Sequence, residues 1–141
     1  MKKVAIVFYS ETGNTKAMAE AVLEGANQAG ADARMMFAEV FTSVLFDAYD
    51  AVAFGCPSMG VEELEEEVFE PMFSSLEDKL KNKRVALFGS YGWGNGEWMQ
   101  AWKDRTLALG ATLIVDPVIA NEDPDAEAIE ACKTLGSALA K

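Results

Sequence analysis

Apolar and polar residues follow one another along the chain in blocks that predict strands and helices in turn. Residues 3–9 are almost continuously apolar, a pattern typical of a strand that is buried on both faces of a parallel sheet. Residues 14–28 carry Met18, Val22 and Ala26 at a spacing of four, which places them on one face of an amphipathic helix. The chain therefore opens with a strand, a polar loop and a helix.

The same alternation continues to the end of the chain. Further strands are predicted at residues 32–37, 50–55, 83–89 and 112–119, and further helices at 66–78, 97–109 and 124–139. Pro71 predicts a kink or a late start of its helix, because proline lacks an N–H and clashes with the preceding turn; Pro117 interrupts the last strand. The pattern predicts one α/β domain over residues 1–141, a doubly wound, five-stranded parallel sheet with helices on both faces.

Three unusual loops follow the first, third and fourth predicted strands, at residues 10–15, 56–63 and 90–97. In open parallel sheets, ligands bind beyond the carboxyl ends of the strands. The three loops leave the sheet at that edge, so we expect them to meet and to form the ligand site.

The first loop has the composition of an anion site. It consists of small and polar residues directly before a helix, where free backbone N–H groups face outward and hydroxyl and amide side chains add donors. The spacing fits neither a Walker A loop nor the three-glycine dinucleotide fingerprint, and the loop contains no Lys or Arg. The sequence predicts a phosphate held by neutral donors; the alternative is an ordinary capped helix start.

The other two loops each carry a large apolar side chain beside glycine. Trp93 lies between Gly92 and Gly94, where a large aromatic forms either a lid or a stacking surface. Met59 precedes Gly60, and its polarisable thioether suits contact with an aromatic ring. Either residue alone could simply cover the rim of the core. Beside a phosphate loop, the two together favour a flat aromatic cofactor.

Composition excludes several functions. The net charge of −11, from 23 acids and 12 bases, argues against binding to nucleic acid and suits basic partner surfaces. The chain has no apolar stretch of about 20 residues and no signal-peptide cleavage site, so a cytoplasmic protein away from the membrane is expected. It has no His, the commonest metal ligand, so no metal site is predicted and hard chemistry is assigned to an organic cofactor. Cys56 and Cys132 are expected to be buried thiols.

Four segments occur in a specific order: Thr12–Thr15, Gly55–Gly60, Glu66–Pro71 and Leu87–Gly94. With them the chain resembles the flavodoxins over essentially its whole length, specifically the short-chain type of clostridial and related anaerobic bacteria. The resemblance implies a strand order of 2-1-3-4-5 and one non-covalently bound FMN. It also implies a low-potential one-electron carrier that is not an enzyme and that shuttles electrons between redox proteins through the semiquinone/hydroquinone couple.

The resemblance assigns the cofactor to residues of all three loops. These are Ser10, Glu11, Thr12, Gly13, Asn14 and Thr15; Pro57, Ser58, Met59, Gly60, Val61 and Glu62; and Ser90, Tyr91, Gly92, Trp93 and Gly94. Ser10, Thr12, Asn14 and Thr15 would hold the phosphate.

Further roles follow from the same match. Met59 and Trp93 would pack on the inner and outer faces of the ring, and Glu62 would accept a hydrogen bond from ring N3–H. Backbone amides around Gly92 and Gly94 would contact the pyrimidine edge. The peptide after Gly60 would flip on one-electron reduction, since glycine permits such a change, so that its carbonyl accepts from N5–H of the neutral semiquinone.

The chain departs from this family at three positions. Glu11 stands where many relatives have Gly, and we expect its carboxylate to face solvent, because it would repel a phosphate. Val61 is β-branched and restricts the backbone after Gly60. Pro57 replaces a residue that carries a hydroxyl in some relatives, so one phosphate contact is expected to be missing or to come from Ser58.

An acidic run follows the second loop: Glu62, Glu63, Glu65, Glu66, Glu67 and Glu70. It would disfavour the anionic reduced flavin and lower its potential; a solvated helix face is the alternative, and both can hold. The expected partners are redox proteins with basic docking surfaces, such as ferredoxin-linked oxidoreductases. The protein itself is expected to be a monomer.

Two other functions occur on folds with this strand pattern. An FMN-dependent NAD(P)H:quinone reductase on the same fold is the alternative, although such enzymes are usually longer. A phospho-acceptor receiver domain is excluded, because Tyr9-Ser10 and Gly55-Cys56 stand where its acids are required.

Overall fold

The computed structural model describes residues 1–60 and 62–141. The strands are β1 Lys3–Phe8, β2 Asp32–Phe37, β3 Ala51–Gly55, β4 Arg84–Tyr91, β5 Thr112–Leu113 and β6 Val118–Asn121. The helices are α1 Asn14–Gln28, α2 Ser43–Asp47, α3 Phe69–Ser74, α4 Glu97–Ala108 and α5 Ala126–Leu139, with 3₁₀ turns at Ala38–Val40 and Glu77–Lys79.

The strands form a parallel sheet in the order β2-β1-β3-β4-β5, with β6 also beside β4. The α/β class and the strand order are confirmed. The predicted last strand, 112–119, is divided into β5 and β6, which adds one strand to the predicted five, and β6 continues to Asn121. β5 pairs with the start of β4 and β6 with its end. Pro117 lies between them and has no N–H to donate to a ladder.

Helices cover both faces of the sheet and enclose two apolar layers. One layer contains α2, α3 and α4 with the inward side chains of the sheet, and the other contains α1 and α5. Close contact of α1 with α5 requires two glycines. A Cβ on Gly25 would lie 2.0 Å from the Lys133 carbonyl oxygen, and one on Gly136 would lie 2.0 Å from that of Val22.

Both cysteines are free and buried, as predicted. Burial raises the pKa of the Cys132 thiol to about 12, and it also raises the pKa of Cys56. Neither thiol is therefore a reactive thiolate at neutral pH.

The predicted helix 66–78 is wrong in its bounds. It begins only at Phe69 and ends at Ser74. The late start has a definite cause, since the Glu65 carboxylate accepts the backbone N–H groups of Glu67, Val68 and Phe69 and ends the preceding turn there. Pro71 then lies in the first turn of α3, where a missing N–H costs no helical bond.

The segment between β2 and β3 contains a short helix that the sequence pattern did not predict. Thr42 caps it, with its hydroxyl oxygen accepting from the Leu45 N–H at 3.3 Å, and Phe46 anchors it in the core. Within the described residues, no helix is both long enough and apolar enough to span a bilayer.

Candidate functional site

The loop between β1 and α1 leaves backbone donors free. Ser10 Oγ accepts the N–H groups of Gly13 at 3.1 Å and Lys16 at 3.3 Å, which folds the loop back on itself. Gly13 has a φ of 96°, a left-handed conformation that glycine adopts without strain. Among the described residues, the N–H groups of Glu11, Thr12 and Thr15 have no acceptor. These donors, at the N-terminus of a 15-residue helix, suit an anion.

A buried pair of hydroxyls joins this loop to the end of β4. Thr15 is 1% exposed and Ser90 is 5% exposed, and their oxygen atoms lie 2.9 Å apart. Each hydroxyl keeps capacity for another hydrogen bond. The pair therefore fixes the distance between the first and third loops and can still contact a ligand.

The three predicted loops meet at one cavity of about 440 Å³, within the range of about 300–1,000 Å³ that is usual for small-molecule sites. Of the predicted residues, it is lined by Ser10, Glu11, Thr12, Asn14, Thr15, Pro57, Ser58, Met59, Ser90, Tyr91 and Gly92. No Lys or Arg is among its described lining residues. The expectation that the loops converge is confirmed.

Sequence reasoning missed two lining residues, Glu122 and Asp123. They follow β6, whose end lies beside the end of β4 in the register Tyr91↔Asn121. The Glu122 N–H donates to the Tyr91 carbonyl at 2.7 Å. The rule that ligands gather at the carboxyl edge could have found this loop, had Asp123-Pro124 not been interpreted only as a helix start.

The second loop is a tight hairpin. Met59 and Glu63 exchange both backbone hydrogen bonds, at 2.8 and 2.9 Å, and Gly60 and Glu62 have φ values of 52° and 51°. A Cβ on Gly60 would meet nothing within 4 Å, so the positive φ, and not a lack of space, is what favours glycine here. Val61, the predicted residue at the tip, lies outside the described residues.

Glu62 joins this hairpin to the third loop. Its Oε1 accepts the N–H of Glu97 at 3.0 Å, at the start of α4, whose N-cap Gly96 offers no side chain. A Cβ on Gly94 would lie 2.7 Å from the Glu62 carboxyl carbon, so this carboxylate occupies the space that glycine leaves. Glu62 Oε2 has no hydrogen bond to another described residue.

Trp93 is 62% exposed. Together with Gly13, Gly60, Glu62 and Gly94, it is a predicted residue that does not line the 440 Å³ cavity. The indole instead faces solvent on the loop next to Gly92, which does line it. It is therefore free to cover a ring that extends out of the cavity.

The acidic run is divided among different contacts. Glu65 is 6% exposed, with its charge held by the three N–H groups at 2.7 to 2.9 Å. Arg105 holds Glu70 with two bonds, at 2.8 and 2.7 Å, and also reaches Glu77. Burial alone would raise the pKa of Glu70, but hydrogen bonds from Arg105 and Ser74 lower it overall.

The remaining acids of the run stay on the surface. Glu63, Glu66 and Glu67 are exposed, and the hydrogen bond and charge of Glu66 raise the pKa of Glu63. With Tyr9, Glu11 and Met59, these residues line a second cavity of about 350 Å³. Both cavities are lined by Glu11 and Met59.

The donor set fits a phosphate ester that carries a polyhydroxyl chain and a flat ring. The residues with free N–H groups in the first loop line the cavity, as do Thr15 and Ser90, whose hydroxyls are buried. Met59 lines it as well. These are the groups that the expected FMN requires, and nothing in the described lining replaces them with an apolar surface.

Comparison with known proteins gives a consistent result. The family model described as Flavodoxin matches residues 6–136. The chain is 51% identical over 138 residues to a flavodoxin of Megasphaera elsdenii, covering 98% of each chain. It is 39% identical to one of Clostridium beijerinckii, covering 96% of this chain and 97% of that one.

Solved structures agree. The solution structure of two-electron reduced Megasphaera elsdenii flavodoxin superposes with a TM-score of 0.89 at 50% identity, covering 97% of this chain and 98% of that chain. A flavodoxin from the domain Archaea gives a TM-score of 0.85 at 27% identity, covering 98% and 96%.

Proposed function

The chain belongs to the flavodoxin family, and from that premise we propose which of its residues hold the cofactor and set its potential. It binds FMN and is an electron-transfer protein, not an enzyme. When bound, FMN supplies the one-electron chemistry. The protein's own task is to hold the phosphate, cover the ring and adjust the surrounding charge.

The observation that carries the assignment is the set of free N–H groups on Glu11, Thr12 and Thr15 beside a cavity with no lysine or arginine in its described lining. Backbone amides and the α1 dipole stabilise a phosphate dianion. Ser10 shapes the loop through its two accepted hydrogen bonds. A phosphate held in this way brings no cation near the ring.

For the ring, we assign Met59 to the inner face and Trp93 to the outer face. Met59 lines both cavities, and its thioether suits contact with an aromatic ring. Glu62 Oε2 is assigned as the acceptor for the ring N3–H, while its Oε1 stays on the α4 N-terminus. One carboxylate would thereby orient the ring and fix the hairpin.

The acids of the second loop are proposed to lower the flavin's potential. A unit charge 4 Å away at an effective dielectric of about 20 contributes about 4 kcal/mol, which corresponds to about 180 mV for one electron. Exposed acids contribute less, because solvent and salt screen them. Glu65 is buried, so solvent and salt do not screen it in this way. At a given distance from the flavin, we expect it to lower the potential more than an exposed acidic residue does.

The proposed partners are redox proteins with basic docking surfaces, such as ferredoxin-linked oxidoreductases. Glu63, Glu66 and Glu67 form an exposed acidic surface beside the site, and such a surface accelerates encounters with basic partners at low salt. A monomer in the cytoplasm, where both cysteines stay reduced, is the proposed working form.

An anaerobic reductive titration of the purified protein tests this function. We expect one FMN per chain and two separate one-electron potentials, with no NAD(P)H oxidation when a quinone is added. Titration of Trp93→Ala and Met59→Ala should show shifted potentials. Absence of bound flavin, or quinone-dependent NAD(P)H turnover, contradicts the proposal.

A further inference from the structure

The structure gives Glu11, in the first loop, a definite hydrogen-bond partner. The Tyr9 hydroxyl donates to Glu11 Oε1 at 2.7 Å. Tyr9 is itself fixed, because its backbone N–H donates to the Gly55 carbonyl at 3.0 Å and its partly buried side chain packs against one of the two apolar layers. An exposed carboxylate is thus held by a side chain that is anchored in the sheet.

The position of Glu11 gives this contact a consequence. Glu11 belongs to both the phosphate cavity and the adjoining cavity beside the hairpin, whereas Tyr9 lines only the adjoining one. A hydrogen bond from Tyr9 therefore draws the carboxylate towards the hairpin. The free N–H groups of Thr12 and Thr15 stay open to a ligand.

A released carboxylate would act against the site. Two negative charges a few ångströms apart repel each other, and the described lining of the cavity has no lysine or arginine to offset this repulsion. A free Glu11 carboxylate could also accept hydrogen bonds from the N–H groups of its own loop. Either event would weaken the binding of a phosphate without affecting the ring.

We propose that Tyr9 is a positioning residue of the phosphate site, which holds the Glu11 carboxylate away from the loop donors and so preserves selectivity for a phosphorylated flavin. This inference rests on the proposed function. The hydrogen bond to Glu11 and burial raise the pKa of Tyr9 to about 12, so the hydroxyl remains a donor throughout the neutral range.

The test is a double-mutant cycle read with two ligands. Dissociation constants for FMN and for riboflavin, which lacks the phosphate, are measured on the full chain freed of cofactor, for wild type, Tyr9→Phe, Glu11→Gln and the double variant. We expect Tyr9→Phe to weaken FMN binding about fivefold, or about 1 kcal/mol, and to change riboflavin binding less than twofold. In the Glu11→Gln background, Tyr9→Phe should have no effect on FMN.

Two matched controls separate this effect from a general loss of stability. Tyr49→Phe removes a hydroxyl from another tyrosine that packs in the same apolar layer, outside both cavities, and Glu20→Gln removes an exposed charge from α1. Neither should change the ratio of the two dissociation constants. Circular dichroism of each variant checks that the fold is kept.

The outcomes are distinguishable. Equal FMN affinity in wild type and Tyr9→Phe, equal losses for both ligands, or an undiminished Tyr9→Phe effect in the Glu11→Gln background each overturns the inference. If wild type itself binds neither ligand, or binds riboflavin as tightly as FMN, the proposed phosphate site has failed instead.

Discussion

The loops after β1 and β3 leave the same edge of the sheet but are stabilised by opposite means. In the first, side-chain oxygen atoms fold the chain and the N–H groups of Glu11, Thr12 and Thr15 stay free. In the second, Met59 and Glu63 exchange both of their backbone hydrogen bonds, and the Glu65 carboxylate accepts three further N–H groups. The first loop leaves N–H donors free for a ligand, whereas the second bonds N–H donors to acceptors within the protein.

This difference matches the two ends of the ligand. A phosphate needs donors, and a helix N-terminus supplies them without a cation. In the proposed assignment, the ring lies beside carboxylates that already accept hydrogen bonds from the protein, and their negative charge would lower its potential. Glu65 thus has two roles in this proposal: it fixes the backbone before α3, and its negative charge acts on the ring.

The largest expected effect is at Glu65. Replacing it with Ala removes the acceptor of three N–H groups, each costing about 1–3 kcal/mol when it is buried and unpaired. We expect the free energy of unfolding to fall by about 3 kcal/mol, measured by urea denaturation. Glu67→Ala, at an exposed position of the same run, should change it by less than about 0.5 kcal/mol. Similar losses in the two variants would remove Glu65 from its proposed role.

A smaller effect is expected at the buried hydroxyl pair of the first loop. Thr15→Val keeps the shape but leaves Ser90 without its partner at 2.9 Å, at a cost of about 1–2 kcal/mol. Thr15→Ser keeps a hydroxyl and should recover most of the loss. Thermal unfolding of both variants checks this, and equal destabilisation by Val and Ser would show that the hydroxyl pair contributes little.

The ion pairs of Arg105 with Glu70 and Glu77 predict that the free energy of unfolding depends on pH. Because the folded pKa of Glu70 is lowered overall by Arg105 and Ser74, after opposition from burial, its contribution is present above the unfolded carboxyl pKa of about 4.3 and is lost as pH falls through the folded value.

Arg105→Gln should therefore cost about 1 kcal/mol at pH 7, since these side chains are partly exposed, and progressively less below pH 4. Urea denaturation of wild type and variant, at pH 7 and again below pH 4, measures the cost of the substitution under each condition. A cost that does not change with pH would mean that Arg105 acts through packing on Phe73 and not through charge.

The smallest effect on folding is expected at Trp93. Because its side chain is mostly exposed, Trp93→Ala should change the unfolding free energy of the cofactor-free protein by less than about 0.5 kcal/mol. FMN binding should nevertheless weaken, by about tenfold if stacking contributes about 1.4 kcal/mol. Fluorescence titration with FMN measures this, and unchanged affinity would refute the stacking assignment.

The sequence predicted most of the frame: the clear periodicity of α1 and the weaker strand pattern of β2 both predicted the observed bounds. The predicted element bounds were wrong where contacts with other segments determine where an element begins or ends. Glu65 looked like one more surface acid, yet it determines the start of α3. Pro117 was noted as an interruption, but only pairing with β4 shows that it separates two strands.

In the site, the pattern identified the three loops but not the contacts between them. The Thr15–Ser90 pair joins residues 75 positions apart, and the Glu62 contact with Glu97 spans 35; no local pattern encodes such distances. Glu11 was expected to face solvent, and it is exposed, but its hydrogen bond to Tyr9 depends on side-chain conformation that the sequence does not specify.

Amide chemical shifts in ¹⁵N-labelled protein, titrated with FMN and with riboflavin, show directly whether the first loop binds the phosphate. We expect FMN alone to shift the amide protons of Glu11, Thr12 and Thr15 strongly downfield, since only FMN brings a phosphate to these donors. Val68 and Phe69, already bonded to Glu65, should stay nearly unchanged with either ligand. Equal shifts of the first loop with both ligands, or none with FMN, would contradict the claim that free backbone donors of this loop bind the phosphate.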